Sequence, residues 1–151
     1  MNHARTDHLT HKTAAGRVPV DEDRPKIVVV DDEPAMCAVV EDMLAEAGYA
    51  TAVTSDPRAA VELIRREKPA LVLADISMPY MDGYAVMEAM RSDPATSTCP
   101  VIFITGHLAF SERMLAFRRG VRDYVAKPFT SEKLLAKVAR VLNDRGTPAS
   151  P

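Results

Sequence analysis

Short apolar runs that end on a polar residue alternate along this chain with segments whose apolar residues recur every three or four positions. Ile27 to Val30 is a β-branched run that stops at Asp31-Asp32-Glu33. Pro34 follows in the first-turn position that a helix tolerates, and the periodic residues Met36, Val39, Val40, Met43, Leu44 and Ala47 predict a helix from Ala35 to Ala47, stopped by Gly48. Tyr49 to Val53 reads as a second strand. Ser55-Asp56-Pro57 caps a helix that buries Ala60, Leu63 and Ile64 and runs to about Lys68. Leu71 to Asp75 is apolar up to a single carboxylate and passes at once into the loop Ile76-Ser77-Met78-Pro79-Tyr80-Met81-Asp82-Gly83. An unbroken apolar run of this length suits a strand buried on both faces, which places Asp75 at the carboxyl end of a central strand.

The alternation continues to the end of the ordered pattern. A short helix is expected over Tyr84 to Arg91, a strand over Pro100 to Thr105, a helix over Ser111 to Arg119 stopped by Gly120, and a strand over Asp123 to Lys127. Thr130 or Ser131 then caps a helix with Leu134, Leu135, Val138, Val141 and Leu142 along one stripe. Five strand–helix repeats imply a parallel sheet with right-handed crossovers and helices on both faces. The expected class is α/β: a doubly wound, flavodoxin-like (βα)5 unit with strand order 2-1-3-4-5, spanning residues 25–144. The competing dinucleotide-binding arrangement lacks its GxGxxG after the first strand. Residues 1–24 and 145–151 carry no apolar periodicity and are expected to be flexible tails; His3, His8 and His11 in the first of these do not make a metal cluster.

Composition changes this picture little. At 151 residues, with 47% hydrophobic and 26% charged residues, the chain has the length and balance of one globular domain. A net charge of -2 argues against direct nucleic-acid binding. No apolar stretch reaches the length of a membrane span and the amino terminus has no hydrophobic signal region, so no membrane role and a cytoplasmic location are expected. Cys37 and Cys99 form no CxxC and read as structural thiols of a reducing compartment, a regulatory disulfide having no positive support.

The topology brings Asp31, Asp32, Asp75, Thr105 and Lys127 to one edge of the sheet, where open parallel sheets bind ligands. Singly, each has a plainer reading: Asp75 as a turn cap, Thr105 as a strand-end cap, Lys127 as a surface cation. Together they describe a pocket. Close carboxylates repel by about 4 kcal/mol per pair at an effective dielectric near 20, so the cluster must hold a cation, take up protons or stay hydrated. With only oxygen ligands on offer the ion is hard, Mg2+ fitting best with Mn2+ as the alternative. A lysine and a hydroxyl beside such an ion suit a phosphoryl group, and Asp75 becomes a candidate nucleophile.

The set Asp31-Asp32, Asp75-Ile-Ser-Met-Pro-Tyr-Met-Asp-Gly83, Thr105-Gly106 and Tyr124-Val-Ala-Lys127-Pro128-Phe129 resembles the receiver domain of bacterial two-component response regulators. The likeness covers about Lys26 to Asn143. It implies that Asp75 accepts a phosphoryl group from a histidine kinase or a histidine phosphotransfer protein. It further implies that Asp31, Asp32, Asp75 and the backbone carbonyl of Ser77 hold Mg2+, Asp31 mainly through water. Lys127 and Thr105 would contact the phosphoryl oxygens, Tyr124 would follow Thr105 inward, and the Lys127-Pro128 bond would be cis. Ser77 and His107 would set how fast the aspartyl phosphate hydrolyses. The resemblance implies a signalling domain rather than a turnover enzyme, a monomer or weak dimer that acts through the face of the fourth helix, fifth strand and fifth helix. Tyr80 stands where the family often has Gly, and Arg119 and Val121 where small residues are usual.

Two other classes compete. A haloacid-dehalogenase-type hydrolase wants a second Asp two residues after the nucleophile, where this chain has Ser77. A phosphorylation-independent interaction module, or a receiver excised from a larger regulator or hybrid kinase, is compatible with the short segment after Asn143. Met78, Met81, Met87 and Met90 read as core filler, Phe117 as core, and Arg118, Arg119 and Arg122 as a solvated helix end rather than a docking patch.

Overall fold

The computed structural model describes residues 24–106 and 110–144. His107 and the tails expected on either side lie outside the described residues, except Arg24, whose guanidinium donates to the Tyr49 carbonyl at 3.3 Å. The strands are β1 (Lys26–Val30), β2 (Ala50–Thr54), β3 (Leu71–Asp75), β4 (Val101–Thr105) and β5 (Asp123–Ala126). The helices are α1 (Pro34–Glu46), α2 (Ala60–Glu67), α3 (Gly83–Arg91), α4 (Phe110–Arg118) and α5 (Ser131–Asn143). All strand pairings are parallel and the sheet order is 2-1-3-4-5, as the alternation predicts.

The period of two along each strand divides the core into two layers. Val28, Val30, Val72, Ala74, Val101 and Phe103 face Leu63, Ile64, Val86, Met87 and Met90 of α2 and α3. Ile27, Val29, Leu71, Leu73, Ile102 and Ile104 face Val40, Leu44, Leu134, Val138 and Val141 of α1 and α5. Each large aliphatic buried here contributes roughly 1.5–3 kcal/mol, so the three central strands, buried at every position but Lys26, anchor the fold. The outer strand β2 is half-buried throughout, in keeping with its Ala-Thr-Ala-Val-Thr sequence.

Local differences from the sequence reading have physical causes. The buried stripe of α1 is Cys37, Val40 and Leu44, while Val39 turns outward at 46% exposed because it lies a full 100° around the helix from Val40. Pro57 to Ala59 forms a 3-10 turn before α2, since the Asp56 carboxylate caps the Arg58 amide only two residues on. Strand β2 starts and ends one residue later than expected, because Gly48 at φ +96 closes α1 and Tyr49 still bonds back to the Leu44 carbonyl.

Gly83 links the fold to the carboxyl end of β3. Asp82 caps α3 by accepting from the Ala85 amide at 2.8 Å, and Gly83 donates to the Ile76 carbonyl, folding the loop back onto the strand. A Cβ at position 83 would lie 2.6 Å from the Asp75 carbonyl oxygen and 3.1 Å from the Phe103 ring. Backbone and a fully buried ring cannot yield cheaply. Gly83→Ala is therefore expected to lower stability by about 1–3 kcal/mol in urea denaturation and to shift the backbone amide resonances of Asp75 and Ile76. Wild-type stability with unmoved resonances would contradict this packing.

Candidate functional site

Strand β1 delivers Asp31 and Asp32, and β3, its neighbour, delivers Asp75. Carboxylate oxygens of the three lie within 4.8 Å of one another, with Asp31 and Asp75 buried and Asp32 half-buried. Two of the three are oriented by identical local turns: Asp31 Oδ1 accepts from the Glu33 amide at 2.9 Å, and Asp75 Oδ1 accepts from the Ser77 amide at 3.1 Å. Each turn occupies one oxygen and directs the other inward. Asp32 makes no side-chain hydrogen bond to a described residue.

Lys127 completes the arrangement from the exit of β5. Its Nζ donates to Asp31 Oδ2 and to Asp75 Oδ2, both at 3.1 Å, so one ammonium bridges the two buried carboxylates. Its backbone amide donates to the Thr105 carbonyl at 2.7 Å, fastening the β5 exit to the end of β4. Thr105 is buried at that end, beside the residue that pairs with Asp75 across the sheet. The Lys127-Pro128 bond is cis.

Electrostatics follow from this geometry. Burial raises the Asp75 carboxyl above its ordinary range, outweighing the hydrogen bond and charge of Lys127. Burial pulls the Lys127 ammonium down, yet the hydrogen bonds and charges of Asp75 and Asp31 together outweigh it and raise the group. The lysine thus stays cationic, while Asp75 is a desolvated carboxylate whose charge is only partly compensated.

Three hard oxygen donors on two adjacent strand ends, one of them without a hydrogen-bond donor among the described residues, fit a hard divalent cation. Among the described residues no soft or imidazole ligand joins the cluster; Cys37 lies nearby, but its buried thiol donates to the Asp31 main-chain carbonyl at 3.2 Å. That contact, which helps seat α1 on the end of β1, was not legible in the sequence. Nor was the pairing of Arg58 with Tyr80, whose guanidinium lies 4.4 Å from the ring centroid. Tyr80 holds a left-handed backbone at φ +68 and is 80% exposed.

Tyr124 stands apart from the carboxylates. It lies half-buried on β5, edge-on to Phe117 with ring centroids 6.4 Å apart. Ser77 is exposed beside Asp75, whose carboxylate accepts from its amide. Arg119 does not join a basic patch, being paired with Glu88 at 2.7 Å and stacked 4.2 Å from the Tyr84 ring centroid. Met87 and Met90 are fully buried core, and Met78 nearly so.

The raised Asp75 group has a sign that can be tested. The unfolded carboxyl ionises near 3.8 and the folded one only at higher pH, so between these values the native state holds more protons. The stabilising contribution of the protonated carboxyl is present at low pH and is lost as pH rises through the folded value. In EDTA at pH 7, Asp75→Asn is expected to be more stable than wild type by on the order of 1 kcal/mol, and this advantage should shrink toward pH 4. Urea denaturation at both pH values measures it; a wild type equal to or more stable than the variant at pH 7 would overturn it.

Comparison with known proteins agrees with this geometry. The response regulator receiver domain family matches residues 27–139. The chain is 36% identical over 121 residues to a probable transcriptional regulator, ycf27, of Guillardia theta, which covers 80% of this chain and 46% of that protein. It is 34% identical over 131 residues to the DNA-binding response regulator MtrA of Mycolicibacterium smegmatis, covering 86% of this chain and 56% of that one. The chain therefore spans about half the length of the curated relatives it matches. Among solved structures, the Vibrio cholerae chemotaxis protein CheY4 superposes with a TM-score of 0.74 at 25% identity, covering 78% of this chain and 98% of that one. The receiver domain of the sensor histidine kinase PA1611 from Pseudomonas aeruginosa PAO1, solved with a magnesium ion coordinated in its active site cleft, does so with a TM-score of 0.72 at 28% identity. That alignment covers 80% of this chain and 98% of that chain. With its five parallel strands in the receiver order and the family match over most of its length, the chain belongs to the receiver domain family of two-component response regulators.

Proposed function

We propose that this domain accepts a phosphoryl group on Asp75 from the phosphohistidine of a sensor kinase or phosphotransfer protein, in a reaction that requires Mg2+. The observation that carries this reading is the Lys127 ammonium bridging Asp31 and Asp75 at 3.1 Å from each, beside a third carboxylate. A merely structural ion pair needs one acid and one base. Here three acids surround one base, an arrangement that costs repulsion unless a further cation or a phosphoryl ligand is accommodated.

The chemistry follows from the groups in place. An oxygen of the ionised Asp75 carboxylate attacks phosphorus, the phosphorus–nitrogen bond of the donor breaks, and its electron pair returns to the imidazole, which takes up a proton. The product is an acyl phosphate with roughly 1.5 to 2 negative charges. Lys127 exchanges a carboxylate oxygen for a phosphoryl oxygen, and the Thr105 hydroxyl donates to another. Asp32, Asp75 and the Ser77 carbonyl, with Asp31 mainly through water, would hold Mg2+, which would supply positive charge against the transferring group. Partial desolvation of Asp75 favours the attack, because a poorly hydrated carboxylate has less solvation to lose.

The signal then leaves through β5. Thr105 pairs with Ala126 and its carbonyl holds Lys127, so a hydroxyl drawn toward the phosphoryl group and a lysine re-aimed at it both act on the strand that carries Tyr124. Phosphorylation shifts the population toward the state in which these two contacts are made. The face of α4, β5 and α5 is the output surface, and the domain works as a switch rather than as a turnover enzyme. No helix among the described residues is long and apolar enough to cross a membrane.

Intact mass after incubation with Mg2+ and acetyl phosphate tests the acceptor. Wild type is expected to gain one phosphoryl group, with the gain abolished by EDTA and by Asp75→Asn. A folded, Mg2+-supplied wild type that takes up none from either acetyl phosphate or a phosphohistidine donor would leave the phosphorylation-independent interaction module as the account of this domain.

A further inference from the structure

We infer that the cavity at the amino-terminal ends of β3, β4 and β5 binds a phosphorylated small molecule, its phosphate on Lys68 and Arg122 and its apolar body against Pro69 and Pro100. The cavity lies at the opposite end of the sheet from the carboxylate cluster and does not depend on the function proposed above. Because β3, β4 and β5 are neighbours, the segments that enter them converge. Lys68 and Pro69 precede β3, Thr96 to Pro100 precede β4, and Arg122 precedes β5. They enclose about 620 Å3, within the roughly 300–1,000 Å3 of small-molecule sites. Among the described residues no carboxylate lines this space, and the Thr96 and Thr98 hydroxyls border it beside the two cations.

A third cation stands against the cavity wall. Arg91, half-buried at the end of α3, donates to the Ser97 and Cys99 carbonyls at 3.2 and 2.9 Å and to the Gly120 carbonyl at 3.4 Å. These carbonyls hold the guanidinium without neutralising it. Burial pulls the group below its ordinary range and the Arg122 charge adds to this, with the Cys99 sulfur opposing. The carboxylate nearest in sequence to each of the three cations serves a different one: Glu67 pairs with Lys26 at 2.7 Å, Asp93 with Arg65 at 2.8 Å and Asp123 with Lys137 at 3.1 Å. Helix dipoles favour cations at this pole, since Lys68 follows α2, Arg91 ends α3 and Arg122 reaches the Asp144 carbonyl after α5 at 3.4 Å. That accounts for the charges and not for the open volume between them.

The chemistry of the lining selects the ligand. A phosphate carries roughly 1.5 to 2 negative charges, and so answers converging cations better than a single carboxylate does. The Arg122 fork suits two of its oxygens, and the Lys68 ammonium adds a point charge. Pro69 and Pro100, both buried and without an N–H, leave apolar wall for the rest of the molecule. A nucleic acid fits poorly, because a concavity with few cations on a chain of net charge -2 cannot follow a line of phosphates.

A panel of sugar phosphates and nucleoside monophosphates, each beside its dephosphorylated parent, titrated into the isotope-labelled full chain in EDTA, tests the assignment by NMR. At least one phosphorylated member is expected to shift the amide resonances of Ala70, Thr98 and Cys99 while those of Asp31 and Asp75 stay in place. Its affinity should exceed that of its parent, and should fall in Lys68→Gln/Arg122→Gln, by about tenfold or more. Lys68 is exposed, so Lys68→Gln alone keeps the fold and is expected to weaken binding by itself. Both variants should take up acetyl phosphate as wild type does. Binding by no member of the panel, parents that bind as tightly, or affinity unchanged in both variants would overturn the assignment. So would shifts centred on Asp31 and Asp75, or inorganic phosphate that binds as tightly as every organic member.

Discussion

A single ammonium group determines how the working edge of this domain is built. Lys127 lies between the buried carboxylates of Asp31 and Asp75, and without it their mutual repulsion would cost about 4 kcal/mol at an effective dielectric near 20. To hold that ammonium in place the end of β5 must be fastened to the end of β4, which the Lys127 amide does through the Thr105 carbonyl. To aim the carboxylates at it, Asp31 and Asp75 each give one oxygen to a turn amide and present the other to Nζ. The position of Gly83 follows from the same requirement, because the loop after Asp75 can fold back against the strand only where no Cβ intervenes.

Specificity and poise matter here more than stability. A buried carboxylate with incomplete compensation destabilises the fold, and the raised titration of Asp75 expresses that cost. The two packed layers on either side of the sheet, with β1, β3 and β4 buried almost throughout, supply the stability that allows it. In the switch proposed above, the same sheet would carry a displacement at Thr105 or Lys127 to Tyr124, because all three sit on the paired strands β4 and β5 or at their ends. A cluster short of positive charge, built at the ends of densely packed strands, suits the proposed switch.

Much of this could be read from the chain itself. The alternation of β-branched runs with helical periodicity gave the architecture and the strand order, since parallel strands joined by right-handed crossovers leave few arrangements. Asp31, Asp32, Asp75 and Lys127 were recognisable because each stands where an apolar run stops, and sheet topology alone then brings them to one edge. What escaped were contacts between residues far apart in sequence with no periodic signature. The Cys37 thiol on the Asp31 carbonyl, Arg58 over Tyr80, and the Lys137 and Arg113 cations about Tyr124 are of this kind. The outward turn of Val39 escaped for another reason: a stripe of small and branched residues at spacings of three and four admits two registers, and only packing against β1 and α5 selects one.

The central claim is that Asp75 is the phosphoryl acceptor and that Lys127 and Thr105 receive the transferred group. A crystal structure of the full chain grown with Mg2+ and beryllofluoride tests it most directly. The account predicts a beryllium–oxygen bond to the Asp75 carboxylate, fluorides within hydrogen-bond distance of Lys127 Nζ and the Thr105 hydroxyl, and Mg2+ held by Asp31, Asp32, Asp75 and the Ser77 carbonyl. Beryllofluoride bound elsewhere, or an Asp75 carboxylate still paired with Lys127 in the presence of both reagents, would contradict it.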